Sequence, residues 1–434
     1  MSNHSPIIPA IETKSLSEIK LFQEQQLQET LAFVAQHSPF YKKRFTELGI
    51  NVSSIKTLED LQQLSVTTKD DLYNHNFDFL CVPKQKIIDY VTTSGTLGDP
   101  LTFALTDKDL ERLAYNECIS LACATGTEDD VYQLMTTIDR RFMAGMAYFL
   151  GIKKMGAGVV RVGNGMPEFQ WDTIKRLNPT IAIAVPSFIV KLIEFAEANG
   201  IDYNQSSIKK IVCIGEPIRN EDFSYNTLGK RITEKWNVQL FSTYASTEMG
   251  AAFTECEAGK GGHHHPELLV IEILDDTNKP VANGAVGELT ITTLGVEGMP
   301  LIRFKTGDLC KTHYEPCSCG RTTLRISPIL GRKQQMIKFK GTSLYPPALY
   351  DILNTVPYIK NYIIEVYTNA IGTDEIDIHI GCLNQPKNYD KELKDHFRAK
   401  LRVAPNIILS TPESIAKSQL PEMSRKPITF IDRR

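Results

Sequence analysis

Residues 86–91 form an apolar, strand-like run, which then gives way to Thr92-Thr93-Ser94-Gly95-Thr96-Leu97-Gly98 before apolar residues resume at Leu101. Glycines reach backbone conformations closed to other residues, so their N–H groups can turn inward, and hydroxyls add donors beside them. Such a strap suits an anionic, oxygen-rich group such as a polyphosphate. The same residues also fit a polar hairpin turn. Residues 241–250 read FSTYASTEMG. There the Glu248 carboxylate beside the Thr247 hydroxyl makes a hard-oxygen set for Mg²⁺ next to phosphates, and Tyr244 offers a flat face to a base. The plainer alternative is a strand-to-helix turn with Thr247 as its cap. Asp308 follows Gly307 at the end of a strand-like run, where a carboxylate can accept bonds from ribose hydroxyls. Lys426 stands in a polar loop before the last apolar run, a position that solvated surface lysines share.

A second constellation contains sulfur. Of nine cysteines, Cys81, Cys118, Cys123, Cys213 and Cys382 stand alone in apolar surroundings and read as small buried hydrophobes. Cys317-Ser318-Cys319, with Cys256 and His263 about sixty residues upstream, offers four soft or borderline ligands, enough for a closed tetrahedral zinc site. The single-residue gap between Cys317 and Cys319 is tighter than the usual two. Cys310, His264, His265 and His313 are reserve ligands, and reduced thiols with solvated histidines are the alternative. Four protein ligands leave no open position, so the expected zinc is structural rather than catalytic.

The elements that must position these groups can be read from composition and periodicity. At 434 residues, 42% hydrophobic and 23% charged, the chain is that of an ordinary globular protein with about two or three domains. The balance of 48 basic against 51 acidic residues leaves no electrostatic footprint for nucleic acid or an anionic membrane. No apolar run approaches the ~20 residues that span a bilayer. The start, MSNHSPIIPAIETKS, lacks the pattern of a secretion signal, so a cytoplasmic location is expected.

Residues 16–48 read as a helical pair. From there to about residue 330, runs such as DVYQLMTT, GAGVVRVG, TIAIAV and KKIVCIG are continuous enough to be strands buried on both faces, alternating with helical stretches such as 107–123 and 187–198. Further strands are expected at 268–274 and 287–293. This is an α/β pattern: a large N-terminal domain of mostly parallel, helix-flanked sheet. Near residue 331 the texture changes to a smaller α+β unit, with a helix from Pro346, strands at 361–367, 375–381 and 406–410, and a helix at 388–402.

Ser94-Gly95-Thr96 with Gly98 and Pro100, Tyr244, Thr247 and Glu248, Lys305-Thr306-Gly307-Asp308, Gly331-Arg332 and Lys426 occur in the order and spacing of adenylate-forming enzymes. Within that superfamily the chain resembles phenylacetate–CoA ligase and its relatives. The likeness extends to HSPFYKKRFTELGI, GEPI at 215–218, ECEAGKGGHH and EPCSCGRTTLRISPILGRKQQMI, and so covers nearly the whole chain.

The resemblance implies an adenylation domain over 1–332 and a mobile C-terminal domain over 333–434 that carries the catalytic lysine, Lys426, with a hinge at Lys333-Gln334. It implies that Ser94, Gly95, Thr96 and Gly98 hold the β- and γ-phosphates of ATP, and that Glu216 and Pro217 line the adenine pocket. Tyr244 would stack on the base, Thr247 would bond the α-phosphate, Glu248 would bind Mg²⁺, and Asp308 with Arg332 would take the ribose. Lys426 would bridge ribose and substrate carboxylate while the acyl-adenylate forms, and coenzyme A would then take the acyl group. Relatives also carry similar cysteines, which implies zinc, and a homodimer is the expected assembly.

Three positions depart from the family. Gln334 or Gln335 stands where an acidic residue is common, Arg425 replaces the usual glycine, and Leu97-Gly98-Asp99 replaces a threonine and a basic residue. Phe142, Met143, Met146, Tyr148 and Phe149 supply apolar bulk near the expected acyl pocket, while Arg140 and Arg141 suit a more polar acid. The expected function is an ATP-dependent acid–CoA ligase acting on phenylacetate or a related small acid. The rival readings are an adenylyltransferase without a CoA step and a catalytically degenerate nucleotide-binding sensor.

Overall fold

The apolar runs of the first three hundred residues pair as their lack of alternation predicts. In the computed structural model, strands Gly158–Arg161, Val131–Leu134, Ile181–Ala184, Lys210–Cys213 and Gln239–Ser246 lie side by side in that order, each parallel to its neighbour. All four residues of Ile181–Ala184 are buried, as a strand covered on both faces must be. The structure describes residues 7–93, 101–340, 342–370, 372–420 and 427–434.

The covering layers come from helices with apolar residues at three- and four-residue spacing. Helix Pro186–Ala198 starts with proline at its first turn and buries Ile189, Leu192, Ile193 and Ala196 in one cluster with Ile211 and Leu240 of the sheet. Each such aliphatic side chain contributes roughly 1.5–3 kcal/mol by leaving water. Helices Asp107–Cys123 and Met143–Met155 cross where Gly151 meets Glu117, so closely that a Cβ at 151 would lie 2.3 Å from the Glu117 Cβ. The expected helical pair is present as Leu16–His37 and Pro39–Glu47.

In this sheet parallel pairing ends at Ser242, opposite Cys213, and the rest of that strand, Thr243 to Ser246, pairs antiparallel. Beyond it, Ala251–Glu255, Gly262–His263, Arg325–Ile326 and Thr312–His313 extend the same sheet in antiparallel fashion. A second antiparallel sheet holds Leu269–Leu274, Gly287–Thr293 and Phe304–Cys310. The alternation of strands and helices expected as far as residue 330 therefore stops near 250. Short turns replace helical crossovers there, and strands joined by turns run antiparallel.

By compactness the chain divides into two units, Met1–Ile329 and Leu330–Arg434. The second unit has its own core. Strands Ile359–Thr368 and Asp374–Cys382 form a long hairpin, flanked in parallel by Phe430–Asp432 and Asn406–Ser410. Helices Pro346–Asn354 and Tyr389–Leu401 cover this sheet, burying Leu349, Ile352, Leu353, Leu393 and Phe397 in its core. Helix Pro412–Gln419 and strand Phe430–Asp432 were not apparent in the sequence pattern.

Candidate active site and metal centre

Strands Ile87–Thr92 and Thr102–Thr106 form an antiparallel hairpin around the glycine- and hydroxyl-rich strap. Its root is closed by Thr93 N–H donating to the Leu101 carbonyl at 2.9 Å and Leu101 N–H donating to the Thr93 hydroxyl at 3.0 Å. Ser94, Gly95, Thr96 and Gly98 lie outside the described residues, as does Lys426. Thr92 N–H donates to the Arg141 carbonyl at 2.9 Å. Arg140 and Arg141 are consecutive left-handed residues, at φ 57° and 58°, a strained arrangement without glycine, and they aim the chain into helix Met143–Met155.

Tyr244 lies on Gln239–Ser246, and its strand runs straight into a turn at 247–250 that carries Thr247 and Glu248. Asp308 belongs to the other sheet. Strand Phe304–Cys310 keeps register with Gly287–Thr293 through Leu309, opposite Glu288, then slips so that Lys305 faces Thr290. Residues 306–308 bulge, with Gly307 at φ 81°. The Thr306 hydroxyl seals the bulge by donating to the Leu289 carbonyl at 2.8 Å and accepting from Asp308 N–H at 3.1 Å. A bulge re-aims side chains, and here Asp308 accepts the Tyr244 hydroxyl at 2.6 Å. Asp308 is therefore inside a bulged strand, not at a strand end as expected from the sequence.

Thr247 and Glu248 border a narrow cleft whose other walls include Phe103, Leu105, Asp109, Arg112 and Met143. Glu216 commits both carboxylate oxygens to the first turn of helix Pro186–Ala198, accepting from Ser187 N–H and from its hydroxyl at 2.9 Å each. Gly215, Glu216 and Pro217 thus form a fixed shelf after strand Lys210–Cys213, with Gly215 at φ 77°. Arg332 is half buried in the second unit, on the short strand Gly331–Arg332. Of the apolar residues near the expected acyl pocket, Met143 reaches the cleft. Met146 is exposed, and Tyr148 packs into the core with Tyr132 and Ile152.

Cys256, His263, Cys317 and Cys319 converge, with all four ligand atoms within 4.8 Å of one another. Cys256 Sγ lies 3.5 Å from Cys317 Sγ, and Cys319 Sγ lies 3.5 Å from His263 Nε2. A tetrahedral zinc with thiolate bonds near 2.3 Å sets its sulfurs about 3.8 Å apart, so the donor set fits. The other ring nitrogen, His263 Nδ1, meets the Thr323 hydroxyl at 3.3 Å, which orients Nε2 toward the cluster. His263 lowers the Cys317 thiol and Cys256 lowers that of Cys319, while the Cys256 thiol is raised by its contact with Cys319.

Three of the reserve ligands have other partners or surroundings. His264 Nε2 meets the Leu269 carbonyl at 2.6 Å, and burial pushes its pKa down to about 4. His265 is held between Glu12 and the Ser120 hydroxyl. Cys310 is fully buried on its strand.

Sequence reading missed Glu12. It is fully buried, pairing with His265 and accepting from Arg321 Nε at 2.7 Å. Burial raises its carboxyl, but His265 and Arg321 bring it below the ordinary value. A lone acid in a terminal stretch carries no local signal of this.

An AMP-binding enzyme family model matches residues 42–298, and the chain belongs to the phenylacetate–CoA ligase family of these adenylate-forming enzymes. It is 30% identical to the phenylacetate-coenzyme A ligase of Thermus thermophilus over 86% of this chain and 83% of the relative. Against the phenylacetate-coenzyme A ligase of Aromatoleum evansii it is 28% identical over 98% and 96% of the two chains. The fold is that of a 2-hydroxyisobutyryl-CoA ligase solved with a hydroxyacyl-AMP, at a TM-score of 0.85 and 22% identity over 100% of this chain and 94% of the other. The chain is accordingly an acid–thiol ligase of the AMP-forming class.

Proposed function

We propose that the protein activates an aryl acid such as phenylacetate, or a related small acid, with ATP and passes the acyl group to coenzyme A. The observation that carries this reading is the Tyr244–Asp308 pair, set across two sheets beside the turn that bears Thr247 and Glu248. A phenol ring whose hydroxyl is anchored on a carboxylate has its plane fixed, and so can present its face to a base with the carboxylate close by for ribose.

In this reading Ser94, Gly95, Thr96 and Gly98 grip the β- and γ-phosphates, and the shelf of Glu216 and Pro217 borders the adenine. Thr247 donates to the α-phosphate, and Arg332 supports the ribose. Mg²⁺ bound at Glu248 would supply Lewis-acid neutralisation of the phosphate oxygens. A carboxylate is already a nucleophile, so no general base is needed. The obstacle is its repulsion from the α-phosphate, which Lys426 offsets as the acyl–phosphate bond forms and pyrophosphate leaves. The coenzyme A thiol then attacks the mixed anhydride, giving thioester and AMP. The second unit is read as a mobile domain that presents Lys426 in the first step and withdraws it in the second.

Apolar Met143 beside Thr247 and Glu248 supports a non-polar acid, as do the names of the relatives. Cys256, His263, Cys317 and Cys319 are read as a structural zinc site on the strength of the donor geometry.

The test is pyrophosphate release over a panel of aryl and short aliphatic acids, with and without coenzyme A. Coenzyme A-dependent thioester is expected with phenylacetate or a close analogue. Product without coenzyme A would overturn the ligase reading, and so would silence with every acid. Lys426→Ala is expected to slow adenylation by orders of magnitude while sparing thioester formation from preformed acyl-adenylate.

A further inference from the structure

We propose that Arg112 is a positioning residue for acid activation: it holds the 247–250 turn, and with it Thr247 and Glu248, in place against the helix that follows strand Thr102–Thr106. This rests on the assignment of Thr247 and Glu248 to ATP and Mg²⁺ made above. Arg112 lies on the second turn of helix Asp107–Cys123, which begins where strand Thr102–Thr106 ends, and that strand is the return arm of the strap.

The guanidinium spends its donors on three carbonyls from three separate segments. Nη1 donates to Gly250 at 2.7 Å, Nη2 to Leu268 at 2.7 Å, and Nε to Leu294 at 2.8 Å. The planar fork of arginine suits this task; a lysine could reach one of the three at a time. Bonds from a charged donor to neutral acceptors are short and strong when water is excluded. Burial lowers the Arg112 pKa to about 10, which leaves the side chain cationic at neutral pH.

Gly250 answers this from the other side. It takes a left-handed φ of 52°, and a Cβ there would lie 3.2 Å from Arg112 Nη1. Any larger residue would strain the backbone and crowd the guanidinium together. One turn earlier on the same helix, Asp109 caps the helix through Thr106 and accepts from Glu297 N–H at 2.8 Å and Gly298 N–H at 2.9 Å. The helix start is thereby latched to the 247–250 turn on one side and to the 297–298 loop on the other. Asp109, Arg112, Thr247, Glu248 and Gly250 line one cleft, so a shift of the turn moves the phosphate- and metal-facing groups directly. A displacement near 1 Å at such groups costs on the order of 100-fold in rate.

The experiment compares Arg112→Met, Arg112→Lys and Gly250→Ala with the unaltered enzyme. It measures pyrophosphate release with phenylacetate at varied Mg²⁺, thioester formation from preformed phenylacetyl-adenylate, and the thermal midpoint. The expected result for Arg112→Met is a fall of roughly 10- to 100-fold in adenylation kcat. The Mg²⁺ concentration for half-maximal rate should rise while thioester formation stays close to that of the unaltered enzyme. Arg112→Lys should fall between, and Gly250→Ala should reproduce the Met signature. Equal loss of both half-reactions would overturn the proposal, as would an unchanged Mg²⁺ requirement. If Arg112→Met does not fold, the Lys and Ala variants decide. Silence of the unaltered enzyme with every acid would defeat the functional reading instead, and is told apart by that control.

Discussion

The Tyr244 hydroxyl donates to Asp308 over 2.6 Å, joining the last parallel strand of one sheet to a bulge in another. The bond orients both partners: it fixes the plane of the ring and commits one carboxylate oxygen. Tyr244→Phe keeps the ring and removes this bond to the carboxylate. It is expected to raise the Kd for ATP roughly 10- to 100-fold, the worth of one hydrogen bond to a charged acceptor. Stopped-flow binding of ATP measures it, and an unaltered nucleotide affinity in Tyr244→Phe would remove the pair from the nucleotide site.

The sulfur cluster predicts a metal content. Purified protein should return about one zinc per chain, and Cys317→Ser or Cys319→Ser should lose it. Because the ligands come from segments near 256–263 and 317–319, removal by a chelator should lower the thermal midpoint before it touches the chemistry. Elemental analysis beside calorimetry checks this. A metal-free sample with full stability and activity would refute the site.

Glu117 sets a pH dependence. Burial raises its carboxyl from the ordinary value of 4.5 to about 8, partly countered by the bond from Asn116. Between those values the unfolded chain has lost the proton and the folded chain keeps it. Stability from this group is therefore full below pH 4.5, falls as pH rises, and is gone above about 8. Glu117→Gln keeps the shape and removes the titration. Its thermal midpoint should match the parent near pH 5 and exceed it near pH 8, by an amount worth roughly 3–4 kcal/mol. A constant difference across that range would show that the carboxyl is ionised in the fold.

Much of the scaffold was legible because it is local. Ile181–Ala184 and Lys210–Cys213 announce themselves as uninterrupted apolar runs, and helix Asp107–Cys123 begins at the threonine and aspartate of a capping box. The four metal-binding candidates were legible by residue type, and the fold brings them together. What stayed hidden is non-local. The slip that turns Asp308 toward Tyr244 is a property of two strands in register, not of either alone. Arg112 looks like any helical arginine until three distant carbonyls close around it. The switch to antiparallel pairing after Ser242 was missed because a short strand buried on both faces reads the same in either direction.

Glu12 sits under Arg321, a partner 309 positions further along, and its backbone carbonyl accepts from Thr322 as well. During synthesis the segment around Glu12 emerges long before Arg321, yet its berth does not exist until the stretch carrying Arg321 has left the ribosome. Until then a carboxylate made for burial must wait in water, so the opening segment is among the last pieces of the larger unit to dock. A tag or fusion placed just ahead of it would burden that late step more than it would burden the finished enzyme.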